Sequence, residues 1–241
     1  MKSDCFILLL IASLFSVTAF GQNTNPAPAR KAPPSPPPLP NLVPPPPPSI
    51  PLFDGKTLKN WTETKFGGTG SVAVENGEIR IDMGSELTGI NWTNAGRLPE
   101  TNYEISLEAM RRDGTDFFCG LTFPVETNFC TLIVGGWGGG LVGISSIDGM
   151  DASENDTTKF RSFDKNQWYK IRVRVTPEKI TTWIDDEQVI DVEIKGRKIS
   201  MRFGDIDLSA PLGIATWQTS ASIKNIRMKR IQAQLTPPAL R

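Results

Sequence analysis

From about residue 52 onward, apolar and polar residues alternate with a period of two. Ile79, Ile81 and Met83 interleave with Arg80 and Asp82; Tyr103, Ile105, Leu107 and Ala109 interleave with Glu104, Ser106 and Glu108. Ile171, Val173 and Val175 do the same with Arg172 and Arg174. This alternation predicts strands that pack one face and wet the other. Shorter apolar runs predict further strands near 117–123, 129–134, 141–147, 180–184, 189–194, 213–216 and 223–228. Turn pairs separate them: Asn76-Gly77, Asp113-Gly114, Asp148-Gly149 and Pro177-Glu178. No window sustains a 3.6-residue period. Many short strands without helices predict an all-β fold, a jelly-roll sandwich of two antiparallel sheets.

The first fifty residues follow a different pattern. Residues 1–21 hold an early Lys2, an apolar run over 6–17 and small residues at Ala19 and Gly21, which predicts a secretory signal cleaved before Gln22. Residues 22–51 hold fourteen of the twenty prolines, five of them consecutive at 44–48. Such a segment favours polyproline II and forms neither helix nor sheet, so it predicts a stiff tether. The expected organisation is a leader (1–21), a tether (22–51), one domain (52–231) and a short tail (232–241). The expected location is the periplasm or the cell exterior.

Composition narrows the chemistry. Twenty-six basic and twenty-six acidic residues leave no net charge. A neutral chain argues against nucleic acid as a partner, since phosphate recognition needs a basic surface. The run at 6–17 is too short for a membrane span. Histidine is absent, which excludes Ser-His-Asp and Cys-His centres and every histidine-based metal site. Once Cys5 leaves with the leader, Cys119 and Cys130 remain as an even pair in an oxidising compartment. A bridge between them is the expectation; two buried free thiols are the alternative.

Three stretches are candidates for chemistry. In Gly135-Gly136-Trp137-Gly138-Gly139-Gly140, the glycines can leave the indole of Trp137 open to stack on a sugar ring, or they can form a tight turn with the indole packed inside. Glu104, Glu108, Arg172 and Arg174 fall on one sheet face, with Arg111, Arg112 and Asp116 near a strand end; carboxylates so placed can act as acid and base, or form a solvated face of ion pairs. Asp148, Asp151, Glu154, Asn155 and Asp156 make an oxygen-rich loop whose spacing matches no known calcium loop, so no cofactor is assigned. Asn60, Asn91 and Asn155 each open an N-glycosylation acceptor triplet, a pattern too short to assign a source.

Several segments together resemble a known family. These are Leu52-Phe53-Asp54-Gly55-Lys56-Thr57-Leu58-Lys59-Asn60-Trp61, Val74-Glu75-Asn76-Gly77-Glu78-Ile79, Gln167-Trp168-Tyr169-Lys170-Ile171-Arg172-Val173, Ile180-Thr181-Thr182-Trp183-Ile184-Asp185-Asp186 and Ile223-Lys224-Asn225-Ile226-Arg227. They look like the 3-keto-disaccharide hydrolase domain, over about residues 51–231. The resemblance implies a concanavalin-A-like jelly roll, bacterial export and action on glycosides oxidised at the sugar 3-position. Members commonly carry an Asp-His pair near the penultimate strand, where this chain reads Gly213-Ile214-Ala215-Thr216-Trp217-Gln218-Thr219. On this reading Glu108 is the expected base and Arg111 or Arg172 steadies an oxyanion. Trp137, Trp217, Gln218 and Glu104 are the expected substrate contacts. The alternative is a non-catalytic carbohydrate-binding or adhesion module on a proline-rich tether. Either way the expected partner is a carbohydrate or glycoside.

Overall fold

A computed structural model of the chain describes residues 48–231, apart from Ala95 and Arg97. The expected leader, nearly all of the tether and the expected tail lie outside the described residues. Among the described residues, fifteen strands build two antiparallel sheets. The larger sheet contains β1 (Ile50–Pro51), β3 (Val72–Glu75), β4 (Glu78–Ile81), β6 (Tyr103–Gly114), β11 (Trp168–Val175), β12 (Lys179–Ile184), β13 (Glu187–Glu193) and β15 (Thr219–Arg230). Its order is β13-β12-β11-β6-β15-β4-β3, with β1 added beside β15. The smaller sheet contains β2 (Trp61–Glu63), β5 (Leu87–Trp92), β7 (Cys119–Val125), β8 (Asn128–Gly136), β9 (Leu141–Ser145), β10 (Lys159–Phe160) and β14 (Gly213–Trp217), ordered β10-β9-β8-β7-β14-β5-β2. No α-helix occurs among the described residues; a 3-10 helix spans Asp205–Ser209.

The alternation seen in the sequence explains the layering. Ile79, Ile105, Leu107, Ile171, Val173 and Ile223 point inward from the eight-stranded sheet. They meet Ile90, Leu121, Phe123, Leu132, Val134 and Ile214 from the seven-stranded sheet. Complete burial of each such side chain contributes about 1.5–3 kcal/mol. Asn76 and Gly77, both at positive φ, close the β3–β4 hairpin as a two-residue turn that demands left-handed residues.

Two expectations are corrected here. Asp113-Gly114 is not a turn: β6 runs through Gly114, which pairs with Thr219 of β15. Cys119 lies opposite Val134 and Cys130 opposite Phe123, so four ladder positions, about 13 Å, separate the two cysteines along the β7–β8 hairpin. A disulfide needs Cα atoms within about 7 Å. Both thiols are free and fully buried. Burial pushes the Cys119 thiol up to about 12 and raises Cys130 further.

A second apolar cluster sits on the outer face of the seven-stranded sheet. Leu87, Phe117, Ile133, Leu141, Ile206 and Ala215 form it, and Trp217 packs against it. Leu87, Ile133, Leu141 and Ala215 lie on strands that also send residues into the core, while Phe117 precedes β7 and Ile206 comes from the 3-10 helix, so this sheet is buried on both faces. That second layer is the floor of the candidate site.

Candidate functional site

A cavity of about 470 Å3 opens over this floor. Trp137 from the β8–β9 turn and Trp217 from the end of β14 line it, as do Phe117 and Phe203. Its polar groups are Glu86, Asp116, Thr131, Ser145, Asp151, Arg202 and Asp205. Apolar walls with a few convergent polar groups are the usual form of a small-molecule site.

Trp137 is 43% exposed. It sits at φ 47, and Gln218 beside Trp217 sits at φ 43. Left-handed backbone is unfavourable for a bulky side chain, so surrounding structure must hold each turn in place. At Gln218 the backbone N–H donates to the Glu86 carbonyl, and Nε2 donates to the Ser85 carbonyl. At Trp137 the support comes from Arg111, which points inward from β6. Its Nη1 donates to the carbonyl of Phe163, and its Nη2 donates to those of Asp116, Gly135 and Gly139 at 2.8–3.2 Å. Burial lowers the Arg111 pKa from its ordinary value, an effect the Asp116 carboxylate opposes. A Cβ on Gly135, itself at φ 79, would lie 2.4 Å from Arg111 Nη2, so only glycine fits there.

The two inner carboxylates differ in what they have left to offer. Asp151 Oδ1 accepts from Ser145 Oγ and the Ala152 N–H, and its Oδ2 pairs with Arg202 Nη1 at 2.7 Å. Asp116 Oδ1 accepts from the Phe117 N–H at 2.7 Å, while Oδ2 receives only a long 3.3 Å bond from the Gly138 N–H. Asp116 Oδ2 is therefore the freer acceptor. It sits beside both tryptophan-bearing turns, since the Trp217 N–H donates to the Phe117 carbonyl. The Arg202 guanidinium, held by Asp151, lies 5.8 Å from the Trp137 ring centroid.

The structure brings Trp137 and Trp217 to this cavity, with Gln218 at the adjoining turn. It does not bring Glu104, Glu108 or Arg172 there. Those three point outward from β6 and β11 of the eight-stranded sheet, across the core from the cavity. Glu104 pairs with Arg172, Arg174 and Lys229, and Glu108 with Lys224. The expectation of one centre joining Glu108, Arg111 and Arg172 to Trp137 is thus corrected. A strand's alternate residues face opposite sides, so Glu108 and Arg111 leave β6 on different faces. Arg111 moreover spends both Nη atoms on carbonyls. The oxygen-rich loop divides between two arginines: Asp148 and Asp156 pair with Arg197, and Asp151 with Arg202. Among the described residues, no group of three acidic or cysteine side chains could hold a metal.

The sequence reading grouped Asp116 with the charges of the other sheet and gave it no role of its own, and it did not name Arg202. Asp116 follows the end of β6 and precedes two phenylalanines, with no motif to mark it. Arg202 lies in the non-periodic segment before the 3-10 helix.

A family profile described as the 3-keto-alpha-glucoside-1,2-lyase-like domain matches residues 48–229. The chain belongs to this family. This lyase-like domain also resembles solved structures. The Crh5 transglycosylase in complex with NAG matches at TM-score 0.54 and 13% identity, over 76% of this chain and 84% of that one. The carbohydrate binding module CBM66 from Bacillus subtilis matches at TM-score 0.47 and 16% identity, over 70% and 95%. A glycosyl hydrolase structure from Parabacteroides distasonis matches at TM-score 0.47 and 14% identity, over 76% and 94%. At these identities the transglycosylase likeness bears on the fold alone, and the lyase-like domain has the concanavalin-A-like jelly roll. No curated protein sequence matches the chain.

Proposed function

We propose that the chain is an exported lyase that binds a 3-keto-glucoside in the cavity and eliminates its aglycone. The observation that carries this reading is Asp116 Oδ2, an almost free carboxylate oxygen between two tryptophan-bearing turns, with Arg202 on the same cavity wall. A 3-keto group acidifies the C2–H bond. Asp116 takes that proton, and the electron pair moves onto the ketone oxygen as an enolate that Arg202 steadies. The enolate then re-forms the ketone as the C2–C1 double bond forms and the C1–O bond breaks. The departing oxygen, on the opposite ring face of an α-glucoside, takes its proton from solvent, and the carboxylic acid formed at Asp116 releases its proton to solvent. One carboxyl group thus closes the cycle, so a chain with no histidine has what the reaction requires. Trp137 and Trp217 hold the sugar ring by its apolar faces. The leader-like residues 1–21 support export, and an intact mass beginning at Gln22 is the expected result.

The test is incubation with a 3-keto-α-glucoside carrying a chromogenic aglycone. Wild type releases the aglycone; Asp116→Asn binds the glycoside and releases nothing. A second reading, a non-catalytic glycoside-binding module, is favoured by the tight pairing of Asp151 with Arg202, which leaves a single free carboxylate among the inner groups. Tight binding without release by wild type would establish that reading instead.

A further inference from the structure

We propose that the outer face of the eight-stranded sheet is a second binding surface, whose ligand is a linear acidic polysaccharide bearing uronate or sulfate groups. The neutral net charge of the chain conceals a segregation. On the three central strands the outward side chains include Arg112 on β6, Lys170, Arg172 and Arg174 on β11, and Lys224, Arg227 and Lys229 on β15. Against these seven cations the same strands offer three carboxylates, Glu104, Glu108 and Asp113, the last paired with Lys165 from outside these strands, a surplus of four positive charges. The cavity on the opposite sheet has the reverse balance, with Glu86, Asp116, Asp151 and Asp205 against Arg202.

Glu104 alone engages Arg172, Arg174 and Lys229, at 3.2, 2.9 and 2.7 Å. Among the described residues, Arg112, Lys170 and Arg227 have no carboxylate within ion-pair distance; Arg112 and Arg227 donate only to Ser222 and Ser49. A groove of about 330 Å3 crosses this face, with Ser106, Lys170, Arg172, Trp183, Asn225 and Arg227 on its walls. Glu108 and Asp186 are the acids that border it. Hydroxyl and amide groups on the wall suit sugar hydroxyls, and the surrounding cations suit an anionic substituent. Cations on alternate residues of β11 recur about every 6.6 Å, and neighbouring strands lie about 4.8 Å apart. A flexible polyanion can follow such a lattice.

Other anionic occupants fit less well. None of the large exposed apolar side chains lies on β6, β11 or β15, so nothing here would insert into a lipid surface. The two tryptophans that could anchor a protein partner are already capped: Lys224 Nζ lies 3.7 Å from the Trp168 ring centroid, and the Arg172 guanidinium 3.9 Å from that of Trp183.

The experiment measures binding of the full chain to polygalacturonate and to dextran sulfate at low ionic strength. Neutral dextran, anionic phospholipid vesicles and duplex DNA serve as comparisons. Wild type should bind both acidic polysaccharides and not the neutral one. Salt of about 0.5 M should release it, since screening shortens the range of surface charges to a few ångströms. Lys170→Glu with Arg227→Glu should weaken binding by about tenfold or more, because two attractions become repulsions. Lys170→Gln with Arg227→Gln should weaken it less, and both pairs should melt with wild type and keep glycoside binding in the cavity. The proposal is overturned if wild type ignores both acidic polymers, if both double variants bind as wild type does, or if vesicles or DNA bind more tightly than either polysaccharide.

Discussion

Replacing Arg111 with methionine keeps the length and much of the volume of the side chain but removes every donor. The carbonyls of Asp116, Phe163, Gly135 and Gly139 would then lose the guanidinium that now gathers them. Arg111 is only 5% exposed, and its guanidinium also lies 5.0 Å from the Phe118 ring centroid. A buried hydrogen bond to a charged group contributes about 1.5–3 kcal/mol, and losses within one network fall short of additive. The expected cost is therefore about 3–5 kcal/mol, comparable to breaking a buried charge network. For a domain of this size that lowers Tm by roughly 6–20 °C. Arg111→Lys should recover only part of it, because one ammonium cannot reach acceptors on three separate segments. Thermal unfolding of the three proteins checks the magnitude. Intrinsic fluorescence reports whether Trp137 becomes more exposed as its turn loosens. A methionine variant within about 1 kcal/mol of wild type, with unchanged fluorescence, would refute the claim that Arg111 holds this end of the sandwich together.

Further predictions concern single groups. Trp137→Ala should weaken glycoside binding about 5- to 30-fold, the equivalent of ~1–2 kcal/mol of stacking, yet leave Tm within a few degrees; titration calorimetry and a melt on the same sample check both. Burial alone would raise the pKa of Glu104, but hydrogen bonds from Lys229 and Arg174 outweigh it and hold the carboxyl below its ordinary value of 4.5. The ionised form is thus favoured in the folded state, so its stabilisation is complete above about that pH and fades as pH falls through the lowered value. Wild type should lose stability relative to Glu104→Gln on acidification from pH 6 to 3, and a constant difference across that range would contradict the assignment. Denatured, unreduced protein lacking Cys5 should react with two equivalents of a thiol reagent and the native protein with none, since both cysteines are fully buried.

The eight-stranded sheet was legible in the sequence because it is wet on one face. Ile105, Leu107 and Ala109 alternate with Ser106 and Glu108, and the structure places them as that pattern requires. The seven-stranded sheet was harder to read because the second apolar layer covers its outer face. Leu87–Trp92 shows no clean alternation: Leu87 faces the cavity floor, Ile90 faces the core, and both are buried. The strand went unmarked for that reason. The candidate site followed the same logic. Trp137 announced itself through its glycines. Asp116 and Arg202 line one cavity only because the turns after β6 and β8 and the segment before the 3-10 helix converge in space. No local spacing encodes that convergence. The carboxylates on alternating strands were conspicuous for the opposite reason, since regular alternation displays them on the outer sheet face.

The pairing of β1 with β15 has a mechanical consequence. Ile50 lies opposite Met228 and Pro51 opposite Arg227 in an antiparallel ladder, so the chain enters and leaves the domain side by side at the same end of the sheet. A pull applied across these two ends loads the pair as a zipper, one hydrogen bond at a time, rather than in shear. Only two residues of β1 take part, and Arg227 adds its bonds to Ser49. β15 itself is fastened along ten positions to β6. Traction would therefore peel away Ser49–Pro51 at low force and then meet the far stiffer β6–β15 seam. The cavity, built on the other sheet, would keep its shape while the entry strand yields.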